Sequence, residues 1–108
     1  MIDNIKSQMR KGMLEYCILL CLDKHEAYTG DILQQLKDAD LLVVDGTLYP
    51  LLSRMKNSGL LDYRWQESTE GPPRKYYRTT EAGKQQLQEL ESEWKAIRNA
   101  VDKINDNL

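Results

Sequence analysis

The residues best equipped for chemistry lie in Asp45–Lys56. There Thr47, Tyr49, Ser53, Arg54 and Lys56, with Pro50 among them, form one side of a short stretch. Leu48, Leu51, Leu52 and Met55 stand at i, i+3, i+4 and i+7 on the other side, the spacing of an amphipathic helix. No acid occurs between Gly46 and Leu61. Hydroxyls, an aromatic ring and cations on a greasy-backed helix suit a DNA major groove, with phosphate oxygens on its walls and base edges on its floor. Asp45 is the expected N-cap, since its carboxylate can accept from free amides of the first turn. Pro50 removes one backbone bond and is expected to bend the helix start. Taken alone, the stretch would equally suit an ordinary amphipathic surface helix.

Cys17, Cys21 and His25 are a second constellation. At i, i+4 and i+8 of one helix they would share a face, and soft ligands so spaced can hold a metal or sense oxidants. The run Tyr16-Cys-Ile-Leu-Leu-Cys-Leu favours core packing instead, because buried free cysteine behaves as a small hydrophobe. His25 is the only histidine, so a tetrahedral site lacks a ligand. No nucleophile–base pair and no phosphate-cradling glycine loop is present, which argues against an enzyme. No cofactor is expected.

The elements that position these residues follow from periodicity. Asn4–Lys24 is expected to be a helix with Met9, Met13, Leu14, Cys17, Ile18, Cys21 and Leu22 as its apolar stripe. Lys6, Arg10 and Lys11 near its start are either solvated or in reach of phosphate, and Lys11 joins the candidate DNA contacts. Tyr28–Ala39 predicts a second helix buried through Ile32, Leu33 and Leu36, with Tyr28 another candidate contact. A connector over Asp38–Val44 completes helix-turn-helix order. Gly59 is the expected helix end.

Leu61, Tyr63 and Trp65 then alternate with Asp62, Arg64 and Gln66, a strand with one buried face. Ser68–Pro73 is turn material. A second strand over Arg74–Thr79 closes a hairpin with a six-residue polar tip flanked by Arg74 and Lys75. Such a hairpin is either a wing, whose cations can enter a minor groove, or a cover for the core. Thr80-Glu-Ala-Gly opens the last helix. Leu87, Leu90, Trp94, Ile97, Val101, Ile104 and Leu108 follow at alternating steps of three and four, an a/d seam suited to dimerisation.

The fold class so reached is mainly α with a small β-hairpin: a winged helix-turn-helix over residues 1–79 and a dimerisation helix over residues 80–108. At 108 residues and 41% hydrophobic the chain can bury one small core, so a long exposed seam needs a partner. Net charge is −2. Residues 1–79 hold eleven Lys/Arg against eleven Asp/Glu, and residues 80–108 hold four against six. The cations of Gly46–Leu61 and Gly71–Thr80 are local, which permits DNA contact while limiting non-specific attraction. The start shows no signal peptide and no run spans a membrane, so the expected setting is cytoplasmic.

The motifs resemble the PadR family of bacterial transcriptional regulators. Gly46-Thr-Leu-Tyr-Pro-Leu-Leu-Ser-Arg-Met is similar to the family's recognition helix. Gly71-Pro-Pro-Arg-Lys-Tyr-Tyr-Arg-Thr-Thr-Glu-Ala-Gly is similar to its wing and the start of its final helix, and Gly59-Leu-Leu to the turn between them. The likeness runs from Met9 to Trp94, and the short C-terminal part resembles members with a single terminal helix. It implies a homodimer binding an inverted-repeat operator on double-stranded DNA, usually in repression, with release by a small molecule in many members. Thr47, Tyr49, Ser53, Arg54 and Lys56 would face DNA from the recognition helix, and Arg74 and Lys75 from the wing. Where the family commonly has Tyr-Gly-Tyr-Glu-Ile, this chain has Tyr28-Thr-Gly-Asp-Ile and lacks the second aromatic. Trp94 sits mid-seam. Two facing indoles can stack a flat aromatic effector, or Trp94 can simply fill the interface; Met9 and Met13 would border the same space. A dimeric winged-helix adaptor that does not bind DNA is the competing function, supported by the net acidic charge.

Overall fold

A computed structural model describes residues 2–41 and 43–107. Helix α1 spans Ile2–Cys21, strand β1 Ala27–Tyr28, helix α2 Thr29–Asp38 and helix α3 Asp45–Asn57. Strands β2 (Leu61–Ser68) and β3 (Gly71–Thr79) precede helix α4, Glu81–Asp106. The three strands form one antiparallel sheet in the order β1-β3-β2. This is a mainly helical winged helix-turn-helix fold followed by a long C-terminal helix.

Both helices of the helix-turn-helix stop in the same way. At the end of α3, Gly59 has φ +82°. Its amide bonds to the Lys56 carbonyl and the Leu60 amide reaches back to Met55, each at 3.0 Å. At the end of α2, Asp40 takes the left-handed position with φ 62°. There the Asp40 amide bonds to Lys37 and the Leu41 amide to Leu36. These are paired Schellman bonds, which satisfy the last carbonyls and turn the chain sharply. The connector therefore starts at Ala39, and residue 42 within it lies outside the described residues.

The core gathers Leu14, Tyr16, Ile18 and Leu19 of α1, Leu22 just after it and Ala27 of β1 with Ile32 and Leu36 of α2. Leu48, Leu52 and Met55 of α3, Leu61, Tyr77 and Leu87 complete it. The apolar back of α3 is thus buried at Leu48, Leu52 and Met55, as its spacing predicts, with Leu51 half-buried beside them, and its other side is left to solvent.

Several expectations are corrected. Tyr28 belongs to strand β1, paired with Tyr76, and is not the first residue of α2. The N-cap of α3 is Val44, not Asp45. Pro50 consequently stands in the second turn and leaves the carbonyl of Gly46, on the exposed side, without an intrahelical partner. The hairpin turns at Thr69 and Glu70, because β3 already begins at Gly71, opposite Ser68. Arg74 and Lys75 pair with Gln66 and Trp65 along the shaft, not at the tip. Trp65 is 60% exposed, since the outer half of the hairpin extends past the core. Met9 is 70% exposed, whereas Tyr16 and Leu19, outside the expected stripe, are buried. Leu87 is 6% exposed within the chain, so the first residue of the seam serves the core, and Leu90 is half-buried against it.

The start of α4 is fixed twice. Thr80 Oγ1 accepts from the Gly83 amide at 3.1 Å, an N-cap, and the Thr80 amide donates to the Leu60 carbonyl at 3.1 Å. A Cβ on Gly83 would collide with that carbonyl oxygen and with the Thr79 methyl. Glycine is required there because the first turn of α4 lies directly against the Leu60 carbonyl, in the link between α3 and β2.

Candidate nucleic-acid interface

The solvent side of α3 has a middle and two flanks. Gly46, Pro50, Ser53 and Asn57 run along its most outward line, all exposed. Tyr49 and Lys56 lie on the flank toward the wing. Thr47 and Arg54 lie on the flank toward α1. Asn57 was not singled out from sequence, because it closes the helix after the motif ends; its place on the outward line is the signal.

Between α3 and the wing runs a groove of about 510 Å³. Tyr49 and Ser53 form one wall, Trp65, Arg74 and Lys75 the other, and Tyr28 with Gly30 one end. Arg74 holds its guanidinium carbon 4.4 Å from the Tyr28 ring centre. Lys75 places its ammonium 4.6 Å from the Tyr63 ring centre and 5.3 Å from that of Trp65. Lys56 approaches Tyr63 from α3 at 5.7 Å. Cations over ring faces are attracted by the ring quadrupole, at about 0.5–1 kcal/mol for exposed pairs. These contacts aim three flexible side chains without neutralising them, so their charge remains available to an anion.

At Gly30, where the second aromatic is missing, the space above the backbone is taken by Tyr28. A Cβ on Gly30 would lie 2.6 Å from the Tyr28 ring, so that ring occupies the space over residue 30. Tyr28 in turn meets Tyr76 at 5.7 Å between ring centres. Trp65, read as a core residue from its alternation, instead presents its indole beside the groove.

On the opposite flank, Thr47, Pro50 and Arg54 border a smaller hollow with Lys11 and Leu14 of α1, about 420 Å³ in volume. Arg10, Lys11 and Ser7 face Thr47 and Val44 beyond it. Arg54 lies 3.8 Å from Glu15, with the arginine side chain 70% exposed and the glutamate side chain 30%. A surface pair of that kind is worth little and yields readily to phosphate. The candidate contacts thus form one continuous surface: Lys11, Thr47 and Arg54, then Pro50 and Ser53, then Tyr49, Lys56, Tyr28, Arg74 and Lys75.

The shaft of the wing is stiffened away from that surface. Arg64 donates Nε to Glu26 at 2.9 Å and also bonds Gln66. Arg78 bonds Asp62 at 3.2 Å. Those two arginines are held by acids, in contrast to Arg74 and Lys75.

The constellation of Cys17, Cys21 and His25 does not assemble. Helix α1 ends at Cys21 and His25 lies in the bend that follows, off the helical face. Among the described residues no group of three or more potential ligands is close enough to hold a metal. No helix of the described chain is long and apolar enough to cross a membrane.

Residues 18–89 match the PadR-like transcriptional regulator family. A PadR-like transcription factor from Bacteroides fragilis is 61% identical, the match covering 94% of this chain and 98% of that one, with a TM-score of 0.81. A PadR family transcriptional regulator from Eggerthella lenta is 33% identical over 95% of this chain and 90% of its own, with a TM-score of 0.86. A Bacillus subtilis PadR, solved in complex with operator DNA, is 27% identical over 72% of this chain and 45% of its own, with a TM-score of 0.67. With a match over two thirds of its length and a relative sharing most of its sequence, this chain belongs to the PadR-like family of transcriptional regulators.

Proposed function

We propose that this regulator is a homodimeric, sequence-specific double-stranded DNA-binding protein that acts as a repressor. One observation carries the reading: an acid-free helix face is continuous with wing cations held ready over aromatic rings. The Bacillus subtilis relative, solved on operator DNA, supports it. Thr47, Tyr49, Pro50, Ser53 and Arg54 meet the major groove, and Lys56, Lys11, Tyr28, Arg74 and Lys75 meet the backbone beside it.

Dimerisation rests on apolar side chains that the chain itself leaves uncovered. Trp94, Ile97, Val101 and Ile104 follow one another along α4, and Ile2, Ile5 and Met9 are likewise exposed on α1. Leu108, the last seam residue, lies outside the described residues. Leu90 and Met13, both half-buried, stand at the edge of that surface. A twofold dimer sets two α3 helices about one DNA turn apart, roughly 34–36 Å, and prefers an inverted repeat. Trp94 is 37% exposed, which leaves ring surface for a flat aromatic effector between protomers. Residues 80–108 are then the dimerisation unit, apart from the stretch around Leu87 that closes the core.

The experiment is binding to the protein's own promoter fragment, by fluorescence anisotropy at two salt concentrations against a scrambled duplex. Preference for the promoter with a steep loss in salt is the expected result. Absence of binding to either duplex by an intact dimer would replace this reading with a protein-interaction adaptor, which the net charge of −2 favours.

A further inference from the structure

The two cysteines take no part in the DNA-facing surface, yet they are not sealed in the core. Both are free and half-exposed, one turn apart near the end of α1. Both border a single groove of about 270 Å³, whose other walls are Leu20, Gln35, Leu36, Ala39 and Leu41. Residues at i and i+4 of a helix have Cβ atoms roughly 5–6 Å apart. A disulfide needs about 3.5–4.5 Å, so the pair does not close directly while the helix is intact. One thiophilic atom between the sulfurs removes the mismatch, since two bonds to a bridging centre, each about 2.3 Å where zinc is that centre, span more than a single S–S bond of about 2.0 Å. A ring carried by that atom would rest on the apolar wall.

We infer that Cys17, Cys21 and the groove between α1 and α2 form a binding site for trivalent aryl arsenicals, with arsenic bridging both sulfurs and the aryl ring seated against Leu36, Ala39 and Leu41. For an arsenoso compound the step balances as R–As=O plus two thiols giving R–As(S)₂ plus water. Two S–H bonds and the As–O bonds break, two As–S bonds form, the thiol protons leave in the water, and arsenic stays trivalent. Burial pushes both thiols up, and Cys17 adds to the shift at Cys21. Thiols kept protonated resist oxidants and single-site alkylation. A chelating electrophile gains from both sulfurs at once, so the site selects for dithiol chemistry. The groove also includes Ala39 and Leu41 of the connector that follows α2, so an occupant touches the joint of the helix-turn-helix. This site stands independently of the DNA-binding reading.

The test titrates the full, folded chain with phenylarsine oxide in excess glutathione, read by native mass spectrometry. One phenylarsenic per chain, held against glutathione and released by a dithiol, is the expected result. Cys17→Ala and Cys21→Ala should each weaken retention at least about tenfold, because the second bond of a chelate forms at high effective concentration. Circular dichroism of each variant confirms that α1 is intact. Ala39→Leu, at an exposed position, should fill the groove and weaken the phenyl adduct several-fold while leaving a methyl arsenical unaffected. Two arsenicals per chain, undiminished retention by either single variant, or capture only in urea would overturn the site. Equal phenyl retention by Ala39→Leu would overturn the seating of the ring.

Discussion

Arg74 stacks its guanidinium on the Tyr28 ring at 4.4 Å, and that ring fills the space above Gly30. The wing is thereby joined to the start of α2 through a charge that stays solvated on its other side. In the proposed DNA contact, Tyr28 would serve also as the platform that aims Arg74.

Removing the platform should therefore cost binding more than folding. Tyr28→Ala frees Arg74 to sample many rotamers, and about 0.5–1 kcal/mol of cation–π attraction is lost. Operator affinity is expected to fall about two- to fivefold, with Arg74→Ala in the Tyr28→Ala background adding less than it does alone. Anisotropy titrations of the two single variants and the double variant measure that coupling. Strictly additive losses would mean the two residues act independently.

Gly83 poses the opposite case, a residue that matters to folding alone. Its Cβ would enter the Leu60 carbonyl, which accepts from the Thr80 amide at the start of α4. Backbone cannot move aside as a side chain tip can. Gly83→Ala should destabilise by about 1–3 kcal/mol, visible as a lower urea midpoint at unchanged slope. An unchanged midpoint would show that α4 can shift at its first turn.

Asp40 lies at φ 62°, where an L-residue is strained and glycine is not. It is exposed and ends α2 with the bonds that Gly59 uses to end α3. Asp40→Gly should hold the same turn without the strain and raise stability by up to about 1 kcal/mol, partly offset by the looser unfolded chain. Asp40→Val should do the reverse. Thermal melts of both variants against the parent give the sign.

The parts of this fold that sequence makes plain are those where one chemical period runs long enough to be seen. The buried back of α3 is one, through Leu48, Leu52 and Met55, and the Gly59 stop is another. Strand β1 has only two residues, too short for any period, so Tyr28 reads as helix. Pro72 and Pro73 read as turn, yet they sit in β3. They are tolerated because β1 pairs β3 only at Tyr76 and Tyr77, leaving one side of the outer strand free. Trp65 keeps the alternation but outruns the core. In the a/d seam, a single uninterrupted pattern serves two surfaces, the core at Leu87 and the exposed stripe from Trp94 onward. Periodicity marks an apolar face and does not say which partner covers it. The cation–ring contacts at the groove join residues far apart in the chain, and no local pattern carries that information.

Acid should weaken the wing. Arg64, by its hydrogen bond, holds Glu26 below its ordinary value, and the Tyr63 amide and then Arg78 do the same for Asp62. A carboxylate depressed in the folded state stabilises above its unfolded pKa, near 4.3 for Glu and 3.9 for Asp, and loses that contribution as pH falls through the folded value. Stability should be flat from neutral pH down to about 5 and then decline. Glu26→Gln with Asp62→Asn should make that decline shallower and lower the neutral plateau. A decline of the same steepness in the double variant would place the acid-sensitive groups elsewhere.

The exposed stripe on α4 gives the most decisive prediction for assembly. Ile97 and Val101 are both about half-exposed and are not members of the core cluster, so charging them need not disturb the winged helix. Burying one aliphatic side chain stabilises by roughly 1.5–3 kcal/mol, and a dimer buries each position twice. Ile97→Asp with Val101→Asp should raise the dimer dissociation constant at least about a hundredfold, given roughly tenfold per 1.4 kcal/mol. Analytical ultracentrifugation should find a folded monomer at micromolar concentration. That monomer should retain weak, salt-sensitive DNA binding, because one α3 and one wing remain whole, and should lose the preference for an inverted repeat, because spacing is a property of the pair. A folded double variant that still sediments as a dimer would exclude this stripe as the contact and shift attention to Ile2, Ile5 and Met9 on α1.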